Sequence, residues 1–449
     1  MSDRRTAVAA AADRAAGDAA GAAGAVRAAG SGGAVGVGAA GSGGAVAAGP
    51  VGAGGAGGGA GSGPGDLGEG GLEALLESHR VELTGYCYRM LGSAFEAEDA
   101  VQETLVRAWR GFAGFEGRAA VRSWLYRIAT NVCLDMLRGR GRRAHPMDLA
   151  SPVSADAPLP EALPEVTWIS PAPDGRVLPE GGDPAELAVA RESVRLAFVA
   201  ALQLLAPRQR AVLILREVLA WKAAEVAELL GTTVASVNSA LQRARATLAA
   251  RGTALGPAAG PTAGPAPDAT PAAAPVSGSA GVSGTARARG IAGAPGASGA
   301  SAGGRRGAAR GGGSRGAAAL DGPSRALLDR YVDAFEAYDL DALTALLRED
   351  AALTMPPYGL WLRGPEDIRG WLSGPGHECR GSRLVPAAAN GTAAFGQYRP
   401  SGPGGRHEPW SLQVVEVSAD GRISGLHAFL DTARLFPLFG LPDRPDRPD

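Results

Sequence analysis

The sequence predicts a multidomain chain: two all-α modules in the first part, then an α+β domain, with low-complexity segments before and between them. Three observations carry this. Residues 1–70 and 251–320 are almost wholly Ala, Gly, Ser, Val and Pro, the second with scattered Arg, so ordering them would bury little apolar area at full cost in backbone entropy. Residues 72–142 and 183–250 carry apolar positions at helical spacing. Residues 321–440 open on the same spacing and then change to short runs punctuated by turn residues.

The formal net charge of -1 hides a segregation of charge along the chain. Residues 73–103 hold seven acidic and two basic groups, whereas 107–143 hold nine basic and two acidic. Residues 189–250 add eight basic against four acidic, and 321–449 return to eighteen acidic against thirteen basic. Two positive blocks flanked by acidic ones suit a polyanion partner better than a uniformly neutral enzyme. Cys87, Cys133 and Cys379 have no paired spacing. That argues for a reducing compartment and against a disulfide framework or a cysteine zinc site. The N-terminal Ala-rich stretch is broken by Asp13, Arg14 and Asp18, a poor secretory signal, and no run approaches the roughly 18 apolar residues of a membrane span. The expectation is a cytoplasmic chain with no membrane association, no metal and no cofactor.

In the first block, Leu72, Leu75, Leu76, Leu83, Cys87, Met90 and Leu91 form one helical stripe. Ala100, Val101, Leu105, Ala108, Trp109 and Phe112 form a second, and Val121, Trp124, Leu125, Ile128, Ala129, Val132 and Met136 a third. Three amphipathic helices broken at Gly92 and at Gly111 to Gly117 satisfy all three. The third helix places Arg118, Arg122, Arg127, Arg138, Arg140, Arg142 and Arg143 around Trp124, Tyr126, Asn131 and Asp135. Cations that neutralise phosphate beside an aromatic that stacks on an unpaired base suit single-stranded nucleic acid. Trp124 and Tyr126 are two apart and cannot share a helix face, so at least one of them belongs to the core.

A proline-rich connector over 143–182 is not expected to form regular structure, although Trp168 and Ile169 offer an apolar anchor. Asp183, Pro184 and Glu186 then make a capping box with proline at the first helical position, opening a helix over 184–205. Pro207 opens another. The stretch "WKAAEVAELLGTTVASVNSALQRARATL" supplies two more, with Gly231 closing one and Thr232 or Thr233 capping the next. In the last helix Val234, Val237, Leu241, Ala244 and Leu248 form the inward stripe, leaving Ser236, Ser239, Gln242 and Arg243 opposite and Asn238 to one side. Two short helices around a tight turn, with small polar groups and Arg on the second, match a helix-turn-helix that reads duplex DNA. An antiparallel helix pair inside any all-α domain would show the same apolar stripe.

In the last block "SRALLDRYVDAFEAYDLDALTALLRED" reads as two helices meeting near Asp339, and "GPEDIRGWL" as a third, short helix. The remaining runs read as strands of a curved antiparallel sheet, with turns at Asn390-Gly391 and Asp420-Gly421.

The segments "AFEAEDAVQETLVRAWRGFAGF" and "VRSWLYRIATNVCLDMLR" resemble region 2 of the extracytoplasmic-function (ECF) group of sigma-70 family factors. "LQLLAPRQRAVLILREVLAWKAAEVAELLGTTVASVNSALQRARATL" resembles their region 4. The resemblance implies an RNA polymerase sigma factor that contributes no bond-making chemistry and so is not an enzyme. It implies that Asp99, Val101, Gln102, Glu103, Thr104, Arg107 and Trp109 grip the clamp of the beta-prime subunit of core RNA polymerase, with the beta subunit as a further partner. Arg122, Trp124, Tyr126, Arg127, Asn131, Asp135 and Arg138 would recognise and open the -10 promoter element. Ser236, Asn238, Ser239, Gln242 and Arg243 would read the -35 element. The connector would run near the polymerase active cleft, and its "VTWISPAPD" is similar to a segment of factors that carry an extra C-terminal domain.

"MPPYGLWLRGPEDI" marks the last block as similar to SnoaL-like domains of the nuclear-transport-factor-2 superfamily, cones that enclose a pocket. The resemblance implies lining by Met355, Pro357, Tyr358, Trp361, Trp371, Phe395, Gln397, His427 and Phe429, a small-molecule ligand in that pocket, and regulation of the factor in cis. His427 is the one histidine on a strand expected to face inward, in a structural or pocket-polar role. The long tether and the N-terminal extension depart from the compact family plan, which puts the expected start near residue 66. Two other readings stay open at this point. One is a SnoaL-like isomerase or cyclase tethered to a DNA-binding module, with His427 as general base; the other is an autonomous repressor.

Overall fold

A computed structural model describes residues 69–115, 120–250 and 322–445. The tether expected over 251–320, Arg118, and all but the last two residues of the 1–70 extension lie outside the described residues.

The first block forms α1 (Glu69–Glu77), α2 (Arg80–Leu91), α3 (Ala94–Gly111) and α4 (Val121–Met136). Gly92, at φ 72, ends α2 in the left-handed region, and the Ser93 hydroxyl then accepts from the Glu96 N–H to start α3. Leu83, Tyr86, Met90, Ala97, Val101, Leu125 and Ala129 fill the core between them.

The second block contains α5 (Pro184–Glu192), α6 (Leu196–Gln203), α7 (Pro207–Leu213, running into a π-helical turn at Ile214–Val218), α8 (Ala223–Leu229) and α9 (Val234–Ala250). The single helix expected over 184–205 is therefore broken at Ser193 to Arg195. Arg89 of α2 enters the break: its Nη2 donates to Ser193 Oγ at 2.7 Å and its Nε to Ser193 O at 3.3 Å. The Ser193 carbonyl so committed no longer serves the helix, while its hydroxyl donates back to Ala190 O at 2.6 Å and closes α5.

The connector contains one-turn helices at Pro146–Leu149 and Asp174–Val177, and Trp168 and Ile169 are buried.

The last block forms α10 (Gly322–Ala337), α11 (Leu340–Ala345), β1 (Leu347–Thr354), β2 (Trp361–Arg363), α12 (Gly364–Ser373), β3 (Arg383–Ala389), β4 (Thr392–Gly402), β5 (Arg406–Val417), β6 (Ile423–Phe429) and α13 (Thr432–Leu438). Six strands lie in the order β2-β1-β6-β5-β4-β3. The sheet is mixed and not purely antiparallel, because β6 leaves the β5–β6 hairpin and lies parallel to β1. Its two faces are both covered. Leu353, Ala393, Phe395, Val415 and Leu426 point into the cone against Tyr331, Phe335, Ile368 and Trp371. Ala389, Ala394, Tyr398, Leu412, Val414 and Phe429 belong instead to the apolar core shared with the helical modules. The C-terminal domain is thus joined to the helices through the outside of its sheet.

Candidate nucleic-acid interface

On α9 the apolar stripe Val237, Leu241, Ala244 and Leu248 is buried, and Gly231, at φ 60, turns the chain into the helix. Thr233 Oγ1 accepts from the Ser236 N–H at 3.2 Å, which caps it. Ser236, Asn238, Ser239, Gln242 and Arg243 all lie exposed on the outer side. Arg243 Nη1 donates to Ser239 Oγ at 2.7 Å, so the guanidinium is held along the helix face. Small residues flanked by amide and guanidinium donors let such a helix enter a major groove and bond base edges.

On α3, Asp99, Gln102, Glu103, Arg107 and Trp109 are exposed, with Arg107 Nε 2.7 Å from Glu103 Oε1. Val101 and Thr104 do not join this surface. Both are fully buried on the inward stripe, and Thr104 Oγ1 donates to Ala100 O at 2.7 Å.

On α4, Arg122, Arg127, Asn131 and Asp135 are exposed, as is Arg138 in the turn just after it. Trp124 is half-buried, with ring centroids 5.0 Å from Phe115 and 6.3 Å from Phe112. Tyr126 is 0% exposed, its ring 5.1 Å from both Tyr86 and Trp221. It cannot stack on a base in this arrangement, because Trp221 of the second block covers it. Arg122 lies over the same pair of rings, 5.3 Å from Tyr126 and 5.4 Å from Trp221, and donates to Glu82 at 2.9 Å. Arg143 also leaves the expected basic surface: it is buried, 2.8 Å from Glu96, and donates to Trp168 O at 2.6 Å.

The approach of α8 to α4 was not readable from local patterns. A cleft of 180 Å³ between them is lined by Ala120, Ser123, Trp124, Arg127, Glu225, Glu228 and Leu229. Arg127 Nη2 lies 3.4 Å from Glu228 O and 3.9 Å from its carboxylate. The acidic side of α8 therefore faces the basic side of α4.

In the C-terminal cone, Met355, Tyr358, Trp371 and Phe395 pack on the interior. Gln397 joins a buried polar network there: Tyr331 Oη donates to Gln413 Oε1 (2.6 Å), and Gln413 Nε2 and Ser411 Oγ each donate to Gln397 Oε1 (2.8 Å). Gln397 Nε2 completes it by donating to Ser382 Oγ at 3.0 Å.

Trp361, His427 and Phe429 are not part of this interior. Successive strand residues face opposite sides, so with Leu426 inside, His427 and Phe429 point outward. Trp361 Nε1 donates to Ala150 O of the connector at 2.8 Å. His427 Nδ1 lies 2.9 Å from Thr354 Oγ1, and its ring lies 5.5 Å from that of His145 in the connector. Burial, and next the neighbouring His427, push the His145 imidazole down to about 4. Burial alone would raise the Glu416 carboxyl, but His427, His145 and Arg195 hold it at about 2.

Comparison with known proteins follows the same three blocks. The Sigma-70 region 2 family matches residues 75–143, Sigma-70 region 4 matches 195–248, and the SnoaL-like domain matches 328–426. The ECF RNA polymerase sigma factor SigG of Mycobacterium tuberculosis (strain ATCC 25618 / H37Rv) is 41% identical over 379 residues, 83% of this chain and 85% of the relative. The chain belongs to the ECF RNA polymerase sigma factors. As a sigma factor it works in the cytoplasm with core RNA polymerase on promoter DNA. No helix among the described residues is long and apolar enough to cross a membrane.

The crystal structure of the M. tuberculosis extracytoplasmic function sigma factor SigJ covers 82% of the chain and 100% of its own length, at 21% identity and a TM-score of 0.47. The Delta 5-3-ketosteroid isomerase from Mycobacterium sp. covers 25% of the chain and 95% of its own length, at 16% identity and a TM-score of 0.20. The expectation that this sigma factor is not an enzyme is corrected by the SnoaL-like domain match over residues 328–426, a third domain beyond the two sigma regions on which that expectation rested. The absence of bond-making chemistry in the sigma regions therefore does not extend to the whole chain.

Proposed function

We propose that this sigma factor divides promoter recognition between two exposed helix faces and holds polymerase on a third, under regulation in cis by the SnoaL-like domain. Asp99, Gln102, Glu103, Arg107 and Trp109 on α3 contact the beta-prime clamp. The face of α4 with Arg122, Trp124, Arg127, Asn131 and Asp135, together with Arg138 in the turn after it, captures the unpaired -10 strand. Ser236, Asn238, Ser239, Gln242 and Arg243 on α9 read the -35 duplex.

One observation carries the reading: α9 keeps its polar face uncovered while Val237, Leu241, Ala244 and Leu248 of its apolar stripe are buried. Separate sites are physically sensible, because strand separation must be offset by contacts that only the open strand makes.

The test is reconstitution of the full-length protein with core polymerase, followed by permanganate mapping of unpaired thymines. Arg243→Ala is expected to weaken binding to duplex -35 DNA by roughly tenfold in fluorescence anisotropy, the effect of one lost base-edge contact. Asp99→Ala with Gln102→Ala is expected to weaken association with core polymerase and leave the duplex affinity unchanged. Polymerase-independent thymine reactivity, or unchanged affinities in these variants, would reject the assignments.

A further inference from the structure

The β3–β4 hairpin of the SnoaL-like domain ends in Asn390 and Gly391, at φ 55 and 71, the left-handed pair that a two-residue turn requires. Such tips ordinarily sit in solvent. This one is buried where three other parts of the chain meet. Asn390 Nδ2 donates to Tyr88 Oη on α2 and to Val194 O between α5 and α6, both at 2.6 Å. Asn390 Oδ1 accepts from the Ala172 N–H of the connector at 3.0 Å, and the Asn390 N–H donates to Ala172 O at 3.1 Å. The Gly391 N–H donates to Asp174 Oδ1 at 2.8 Å. The fit is close: a Cβ on Gly391 would meet Arg191 O at 2.7 Å.

One carboxamide therefore bonds region 2, the connector and, at Val194, the residue that leads into region 4. We propose that this turn is an internal latch, which when docked holds regions 2 and 4 in the arrangement where Glu225 and Glu228 of α8 face Trp124 and Arg127 of α4 across a narrow cleft, placing two carboxylates in the path of a nucleic-acid strand. Withdrawal of the turn releases α8 and takes its carboxylates away from the α4 face. The Arg89–Ser193 bonds join the same two regions but lie wholly within them. The Asn390 turn is a contact that the C-terminal domain itself can make or break, beside the apolar outer face of its sheet and Arg434 over the Phe95 ring of α3. Its effect on promoter opening rests on the strand-capture reading of α4 given above; the conformational latch does not.

Asn390→Gly separates these cases, since glycine keeps the left-handed turn while deleting the three side-chain bonds. In the full-length protein, the distance distribution between probes at Asn131 on α4 and Ala224 on α8 is expected to shift, the separated population rising about tenfold. Polymerase-dependent opening by the unlabelled variant is expected to rise at least about threefold. Gly391→Val, which leaves Asn390 in place but collides with Arg191, is expected to act in the same direction. An unchanged distance distribution in Asn390→Gly, with its thermal melt still cooperative, overturns the latch. Wider separation with reduced opening overturns the masking of α4. Wider separation with no opening by either variant or wild type leaves the latch standing and removes the strand-capture reading.

Discussion

Arg210→Ala is expected to cost about 3–5 kcal/mol of stability, read as a shift of the urea midpoint at constant slope. Arg210, on α7, is 3% exposed and caps two helices from different modules. Its Nη1 donates to Met90 O, in the last turn of α2, and to Gln203 Oε1 at 2.6 Å. Its Nη2 donates to Gln203 O and Leu205 O, both at 3.2 Å, at the end of α6. Helix ends leave carbonyls without intrahelical partners, and buried ones without a donor are expensive. Alanine would strand all of these acceptors and leave a cavity. Burial lowers the Arg210 guanidinium to about 10, so it remains charged at neutral pH and the carbonyl dipoles offset its desolvation. Arg210→Lys is expected to recover only part of the loss, because a point ammonium cannot span two helix ends. A midpoint within experimental error of wild type in Arg210→Ala would remove the double-capping role.

How much of this could be read beforehand depends on whether a residue's partner was local. The stripe of α9 from Val237 onward, its Thr233 cap and the left-handed Gly231 follow from spacing and backbone chemistry within one short stretch, and so do the turns at Asn390-Gly391 and Asp420-Gly421; Val234, expected on the same stripe, sits in the first turn and is 42% exposed. Tyr126 is different. Its periodicity leaves exposure open, and the residue that buries it, Trp221, comes from the other module. The break at Ser193 is likewise set by Arg89, 104 positions away. His427 fails for a third reason. Alternation along β6 gives two faces, and when both are buried, apolarity does not say which encloses the cone. The α8 carboxylates that face α4 left no trace in the pattern of either helix because, as with Tyr126, the partner belongs to another module.

The latch junction is also expected to sense protons, through Asp174. Its carboxyl is raised from 3.8 to about 6, first by burial, while the Gly391 N–H and Arg191 pull it down. Between those values the folded chain keeps a proton that the unfolded chain has already released. This group's contribution to stability is therefore full below pH 3.8 and is lost as pH rises through about 6. The total approaches roughly 3 kcal/mol, at about 1.4 kcal/mol per pH unit. Asp174→Asn keeps an oxygen to accept from Gly391 without the buried charge. At pH near 7.5 it is expected to be more stable than wild type by about 2–3 kcal/mol, and near pH 4 to differ little. Taking the difference between the two proteins at each pH cancels the other titrating groups, including Glu416, whose contribution is lost in the opposite direction as pH falls from 4.5 toward about 2. Urea midpoints across pH 4 to 8 would show the difference growing through about pH 6 if the buried carboxyl carries it. A flat difference would mean that Asp174 ionises as freely in the folded chain as in the unfolded one, and that the turn docks without regard to pH.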